Sequence, residues 1–173
     1  MVTSNAHLRL RCPVKQSRIK KVSGRLIRIW VARDQNPKGE EQLRRLLVVD
    51  GEDSICFSMR EYFTMHGYHV DTAQELGEAE RLVEATVYDV VIQDLRLGPG
   101  LRPDGLEMIK FIRSQNSHTR IVVLTAYGSP EMETIALDSG ADAFLRKPKP
   151  LSDLAQVIQG LIESPPKHAA QGA

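Results

Sequence analysis

Cysteine is scarce in this chain, with only Cys12 and Cys56 in 173 residues. Two thiols so far apart exclude a disulfide framework and a cysteine-ligated zinc site. They read as ordinary thiols and point to a reducing, cytoplasmic compartment. Long hydrophobic runs are also missing. No apolar stretch approaches the roughly 18 residues that a spanning helix needs, and the mixed polar start lacks the apolar segment of a secretory signal. Neither reading leaves a membrane role. No Asn-Gly turn separates the apolar runs, which argues against a sheet built from tight hairpins. Internal repeats and low-complexity tracts are absent too.

A net charge of +1 hides a strong asymmetry. Residues 1–45 carry 12 Lys/Arg and 3 Asp/Glu, and residues 46–173 carry 11 and 19, so the two parts hold +9 and −8. A split of this size marks a boundary near residue 45. Residues 1–44 read as a mostly disordered or loosely attached basic arm, with at most one isolated strand in Leu26–Val31. No nucleic-acid reading motif accompanies the charge. The expectation is therefore a solvated tail, with a nucleic-acid-binding arm as the alternative.

What the chain does have is a series of short apolar runs, each ending in a polar residue. Val90-Val91-Ile92-Gln93 ends in Asp94, and its β-branched residues favour a strand buried on both faces. Leu46-Leu47-Val48-Val49 ends in Asp50, Ile121-Val122-Val123-Leu124 in Thr125, and Ala143-Phe144-Leu145-Arg146 in Lys147. Tyr68–Thr72 alternates and adds another strand. Between them, apolar residues at spacings of three and four predict helices over 54–66, 74–86, 104–115, 130–139 and 151–163. Asp53 or Ser54 is expected to cap the first, and Gly67 to end it. Pro165-Pro166 closes the fold, leaving a short tail over 164–173. Five strands alternating with five helices predict a doubly wound α/β domain with a parallel sheet and right-handed crossovers.

In a parallel sheet the four strand ends share one edge, where α/β domains bind ligands. That edge would gather Asp50, Asp94, Thr125 and Lys147. Clustered carboxylates need a cation, and oxygen ligands suit Mg²⁺. Lys147 is a point charge suited to phosphate, Thr125 offers a hydroxyl, and an Asp carboxylate can become an aspartyl phosphate. His66, His69, His118 and His168 are scattered and read as surface or turn residues.

Five segments carry a family resemblance. They are Leu47-Val48-Val49-Asp50, Gln93-Asp94-Leu95-Arg96-Leu97, Asp104-Gly105-Leu106-Glu107, Val123-Leu124-Thr125-Ala126 and Gly140 through Pro148. In this order and spacing, residues 45–163 resemble the receiver domain of two-component response regulators. The resemblance implies a flavodoxin-like sheet of order 2-1-3-4-5, an order for which a chemotaxis receiver is a known example. It implies that Asp94 accepts a phosphoryl group from a histidine kinase or phosphotransfer protein. Asp50, Asp94 and the carbonyl of Arg96 would hold Mg²⁺, while Thr125 and Lys147 would contact the phosphoryl group and small Ala126 would leave it room. Phe144 matches the aromatic that swings inward as Thr125 moves, and Lys147-Pro148 matches a cis peptide bond. The 125–150 face would then bind a downstream protein or a second copy. Such a domain is a switch whose sole catalysis is its own dephosphorylation, not an enzyme in the usual sense.

Two departures stand out. Gly51 occupies the position where family members carry a second acid that ligates the metal, with Glu52 and Asp53 just beyond as candidate replacements. The loop between Asp94 and Asp104 is also about three residues longer than the family pattern. The Gly51 departure opens a rival reading, an interaction module whose pocket no longer cycles.

Overall fold

The computed structural model describes residues 15–22, 25–32, 43–97 and 104–165, and the chain divides into two units, 1–42 and 43–173. In the first unit, β1 (Lys15–Val22) and β2 (Arg25–Ala32) form a two-stranded antiparallel sheet. This corrects the expected lone strand over 26–31, which is one half of a hairpin. The remaining arm residues lie outside the described ones.

The second unit alternates strictly. Its elements are β3 (Arg44–Val49), α1 (Asp53–Met65), β4 (Tyr68–Ala73), α2 (Leu76–Ala85), β5 (Val90–Gln93), α3 (Asp104–Gln115), β6 (Arg120–Thr125), α4 (Pro130–Asp138), β7 (Ala143–Arg146) and α5 (Leu151–Glu163). The sheet is parallel throughout, in the order β4-β3-β5-β6-β7. Counted from β3 this is the expected 2-1-3-4-5. The Lys147–Pro148 bond is cis. Among the described residues no helix is long and apolar enough to cross a membrane.

The unbroken apolar runs serve two cores at once. On β3, Leu46 and Val48 join one buried cluster with Cys56, Met59 and Phe63 of α1 and Leu154 and Ile158 of α5. Leu47 and Val49 point the other way, to Ala79 of α2, Met108, Ile109 and Ile112 of α3, and Ala136 of α4. The period-2 pleat sends neighbours to opposite faces, so a doubly covered strand must be apolar at every position. Each such Leu or Ile side chain contributes about 1.5–3 kcal/mol.

Helix α1 begins one residue earlier than expected. Its N-cap is Glu52, with no side-chain cap bond, so neither Asp53 nor Ser54 caps it. The backbone carbonyl of Glu52 accepts from Ile55 and Cys56 instead, and Asp53 Oδ1 accepts from Gln74 Nε2 at 2.9 Å.

A second polar network holds the opposite edge of the sheet. Asp142 is 5% exposed, accepts from Arg113 Nη2 at 2.6 Å and Ile121 N at 2.8 Å, and pairs with Arg120 Nη1 at 3.4 Å. Arg113 also donates to the carbonyls of Gly140 and Thr119, and Arg120 to that of Ser164. Gly140 has φ +112°, and a Cβ there would lie 2.8 Å from Arg113 Cγ, so both backbone and space require glycine.

Candidate functional site

Adjacent strands β3 and β5 each end in a carboxylate. Asp50 and Asp94 are 4% and 8% exposed, and the backbone links them, since Asp94 N donates to the Val49 carbonyl at 2.9 Å. Lys147, just past β7, reaches across to both. Its Nζ lies 2.6 Å from Asp50 Oδ2 and 2.8 Å from Asp94 Oδ2. The other oxygens accept backbone N–H groups, Asp50 Oδ1 from Glu52 at 3.0 Å and Asp94 Oδ1 from Arg96 at 3.2 Å.

Thr125 ends β6, between β5 and β7, and is fully buried. Its carbonyl accepts the Lys147 backbone N–H at 2.9 Å, and its Oγ1 accepts from Tyr127 N at 3.2 Å. With Oγ1 acting as acceptor there, the hydroxyl proton can serve another group. The geometry thus brings Asp50, Asp94 and Lys147 into direct contact and ties Thr125 to Lys147 through the backbone. Phe144 is half-buried against the α2–α4 core. Its ring lies against Gly128, where a Cβ would sit 2.8 Å from Phe144 Cε1.

One ammonium serves two carboxylates, which leaves one surplus negative charge. Burial pushes Asp50 above its ordinary range, and Asp94 adds to the rise although Lys147 and the Glu52 N–H oppose it. For Lys147 burial pulls the other way, but the hydrogen bonds and charges of both carboxylates outweigh it, and its pKa rises. The cation is thus held more firmly than in a one-to-one pair, and Asp50 less. Burial, followed by the Asp50 charge, also pushes up the thiol of Cys56, whose Sγ donates to the Asp50 carbonyl at 3.3 Å. This fits an inert cysteine.

Gly51 is exposed, and a Cβ there would find only the Leu97 carbonyl, about 3.9 Å away. Glu52 is exposed, and Asp53 Oδ1 accepts from Gln74 Nε2. Among the described residues no group of three His, Cys, Asp or Glu is placed to hold a metal. The longer loop, residues 98–103, lies outside the described residues.

Three features escaped the sequence reading. The Arg96 guanidinium sits 3.6 Å from the Tyr127 ring centroid, joining the loops after β5 and β6. A cavity of about 580 Å³ opens beside Lys147, between Ile55 and Met59 of α1 and Pro148 and Leu151. Gly105 lies so close to the end of β5 that a Cβ would come within 2.4 Å of the Asp94 carbonyl oxygen. That approach explains Gly105, which had only its resemblance to recommend it.

Comparison with known proteins bears on this arrangement. The family model of the response regulator receiver domain matches residues 46–159. The response regulator MprA of Mycolicibacterium vanbaalenii is 36% identical over 118 residues, covering 68% of this chain and 50% of that protein. This chain therefore spans about half the length of the curated relatives it matches. A response regulator from Burkholderia pseudomallei, solved with a phosphorylated aspartic acid, calcium ion and citrate, aligns at TM-score 0.63 and 28% identity, covering 69% of this chain and 68% of that one. The beryllofluoride-activated NtrC4 receiver domain dimer aligns at TM-score 0.61 and 33% identity, covering 69% and 96%.

Proposed function

This chain belongs to the response regulator receiver domain family, and from that premise we propose that Asp94 accepts a phosphoryl group from a histidine kinase or phosphotransfer protein. The observation that carries the reading is the Lys147 ammonium held between two buried carboxylates at one sheet edge. A carboxylate oxygen of Asp94 attacks phosphorus, the P–N bond to the donor imidazole breaks, and an acyl phosphate forms. Lys147 transfers its bond from Asp94 to the new phosphoryl oxygens, and its raised pKa keeps it charged for that role. Thr125 turns its hydroxyl proton to the same oxygens, and Ala126 adds no bulk. The cavity between α1 and Pro148 gives the donor a path to Lys147.

The donor chemistry fits a hard cation, because the two carboxylates carry more charge than Lys147 neutralises. Asp50, Asp94 and the Arg96 carbonyl would hold Mg²⁺, with water and phosphoryl oxygens completing its shell. When bound, the ion offsets negative charge on the phosphoryl group. Movement of Thr125 then frees the space into which Phe144 turns, shifting an equilibrium between two states of the 125–150 face. A downstream protein or a second copy reads that face. The NtrC4 domain is a dimer in its beryllofluoride-activated form, which supports the second option.

One observation favours a second reading. Gly51 leaves the site without a third acid among the described residues, as expected of an interaction module that no longer cycles. Nuclear magnetic resonance with Mg²⁺ and beryllofluoride, a mimic of the acyl phosphate, separates the two. The switch predicts shifts at Asp94, Thr125 and Phe144 that vanish in Asp94→Asn. An inert spectrum at millimolar Mg²⁺ would favour the module.

A further inference from the structure

The last residue of β5 is a buried amide where the rest of the strand is aliphatic. Val90, Val91 and Ile92 fill the two cores, and Gln93, directly before Asp94, is fully buried as well. The pleat gives it the Val91 side of the sheet, the side that α3 covers. Its Nε2 donates to the Gly105 carbonyl at 2.5 Å, and its Oε1 has no hydrogen-bond partner among the described residues. A buried acceptor left alone destabilises a fold, and an apolar side chain of the same shape avoids that cost. Packing therefore does not account for a glutamine here.

What the amide does is close a ring around Asp94. Gly105 N donates to the Leu95 carbonyl at 3.1 Å. Gly105 is thus tied to both neighbours of Asp94, to Gln93 through its carbonyl and to Leu95 through its N–H. Between these two bonds it lies against the Asp94–Leu95 peptide, where a Cβ would come within 2.4 Å of the Asp94 carbonyl oxygen. Asp94 N is held in turn by the Val49 carbonyl at 2.9 Å. Nine residues separate Asp94 from Asp104, so chain connectivity alone leaves the entry of α3 loosely placed. We propose that Gln93 is a positioning residue for Asp94: its carboxamide holds the start of α3 against the Asp94 peptide and so fixes the carboxylate for attack on phosphorus. The inference rests on Asp94 being the phosphoryl acceptor. It supplies a backbone restraint that persists when Lys147 moves its bond to the phosphoryl oxygens.

The test follows phosphoryl uptake from acetyl phosphate at millimolar Mg²⁺ by intact-protein mass spectrometry, in the full chain and in its Gln93→Met and Gln93→Asn variants. Methionine keeps the unbranched shape and loses the amide. Asparagine keeps the amide but withdraws it by about 1.5 Å, beyond reach of Gly105, and it decides the matter if the methionine variant fails to fold. The uptake rate constant should fall about tenfold or more in both, since a misplacement of about 1 Å costs up to about a hundredfold. Amide hydrogen exchange at Gly105 should quicken in both, and the urea midpoint of Gln93→Met should be equal or higher. A merely structural glutamine predicts the reverse, a lower midpoint with an unchanged rate constant, and that result would overturn the proposal. An asparagine variant as fast as the unsubstituted chain would overturn it too, because the bond to Gly105 would then be dispensable. Equal rates in all three chains would leave Asp94 as the acceptor and remove only the role of Gln93, whereas no uptake by the unsubstituted chain would remove both.

Discussion

Replacing Lys147 by methionine keeps an unbranched, flexible side chain, one atom shorter, and removes its charge. The Lys147 side chain is 13% exposed, and those of Asp50 and Asp94 are 5% and 10% exposed. Deleting one member of a buried ion pair costs roughly 3–5 kcal/mol. The pocket opens at the sheet edge and its carboxylates can protonate, so the low end applies, about 3 kcal/mol at pH 7. The sign with pH follows from proton binding. Without the ammonium, burial leaves the Asp50 carboxyl titrating higher in the folded than in the unfolded chain, so the folded state binds more protons through that window. The variant's stability therefore falls as pH rises. The loss should be small near pH 4 and complete by about pH 7, the interval between an ordinary Asp and a strongly raised one. Mg²⁺ at about ten times its dissociation constant should restore about 1.4 kcal/mol. Urea unfolding of both proteins across this range, with and without Mg²⁺, measures each quantity. A loss that is the same at every pH and indifferent to Mg²⁺ would mean that Lys147 acts through packing. A loss under about 0.5 kcal/mol would mean that the pocket is as wet as a surface pair.

Other substitutions probe the same site. Asp94→Asn removes the repulsion that helps raise Asp50 and leaves a one-to-one pair with Lys147. Carbon-13 carboxyl titration should show Asp50 moving down, and an unchanged or higher value would contradict the charge account. Gly51→Asp finds space for its Cβ and adds the missing acid. Calorimetry should show Mg²⁺ binding about tenfold tighter, equivalent to about 1.4 kcal/mol; equal affinity would show that residue 51 does not face the ion. Gly105→Ala drives a methyl to 2.4 Å from the Asp94 carbonyl oxygen and 2.7 Å from Leu95 Cα, both backbone atoms. It should cost about 3 kcal/mol in chemical denaturation; a loss below 1 kcal/mol would mean that the α3 entry relaxes freely.

The receiver fold was legible because its signals are local. Four strands are solid apolar runs, since both faces of the sheet are covered, and α3 and α5 match their expected spans. The site residues were legible because a parallel sheet delivers all its strand ends to one edge. What escaped depends on contacts distant in sequence. Arg113 meets Asp142 from 29 residues away, and a lone arginine on a helix gives no sign of such a partner. Cys56 is buried in the α1 core with Met59 and Phe63, whereas the more apolar Ile55 beside it is only partly buried. The cap of α1 was missed because backbone carbonyls do work that the sequence suggested for Asp53 or Ser54. The β1–β2 pairing was missed because β1, Lys15–Val22, has only two aliphatic residues to mark it as a strand.

Intact-protein mass spectrometry after incubation with acetyl phosphate and Mg²⁺ tests the central claim most directly. The account predicts a gain of one phosphoryl group by the unsubstituted chain and by Asp53→Asn, and none by Asp94→Asn. Uptake that survives in Asp94→Asn, or no uptake by the unsubstituted chain at millimolar Mg²⁺, would contradict it.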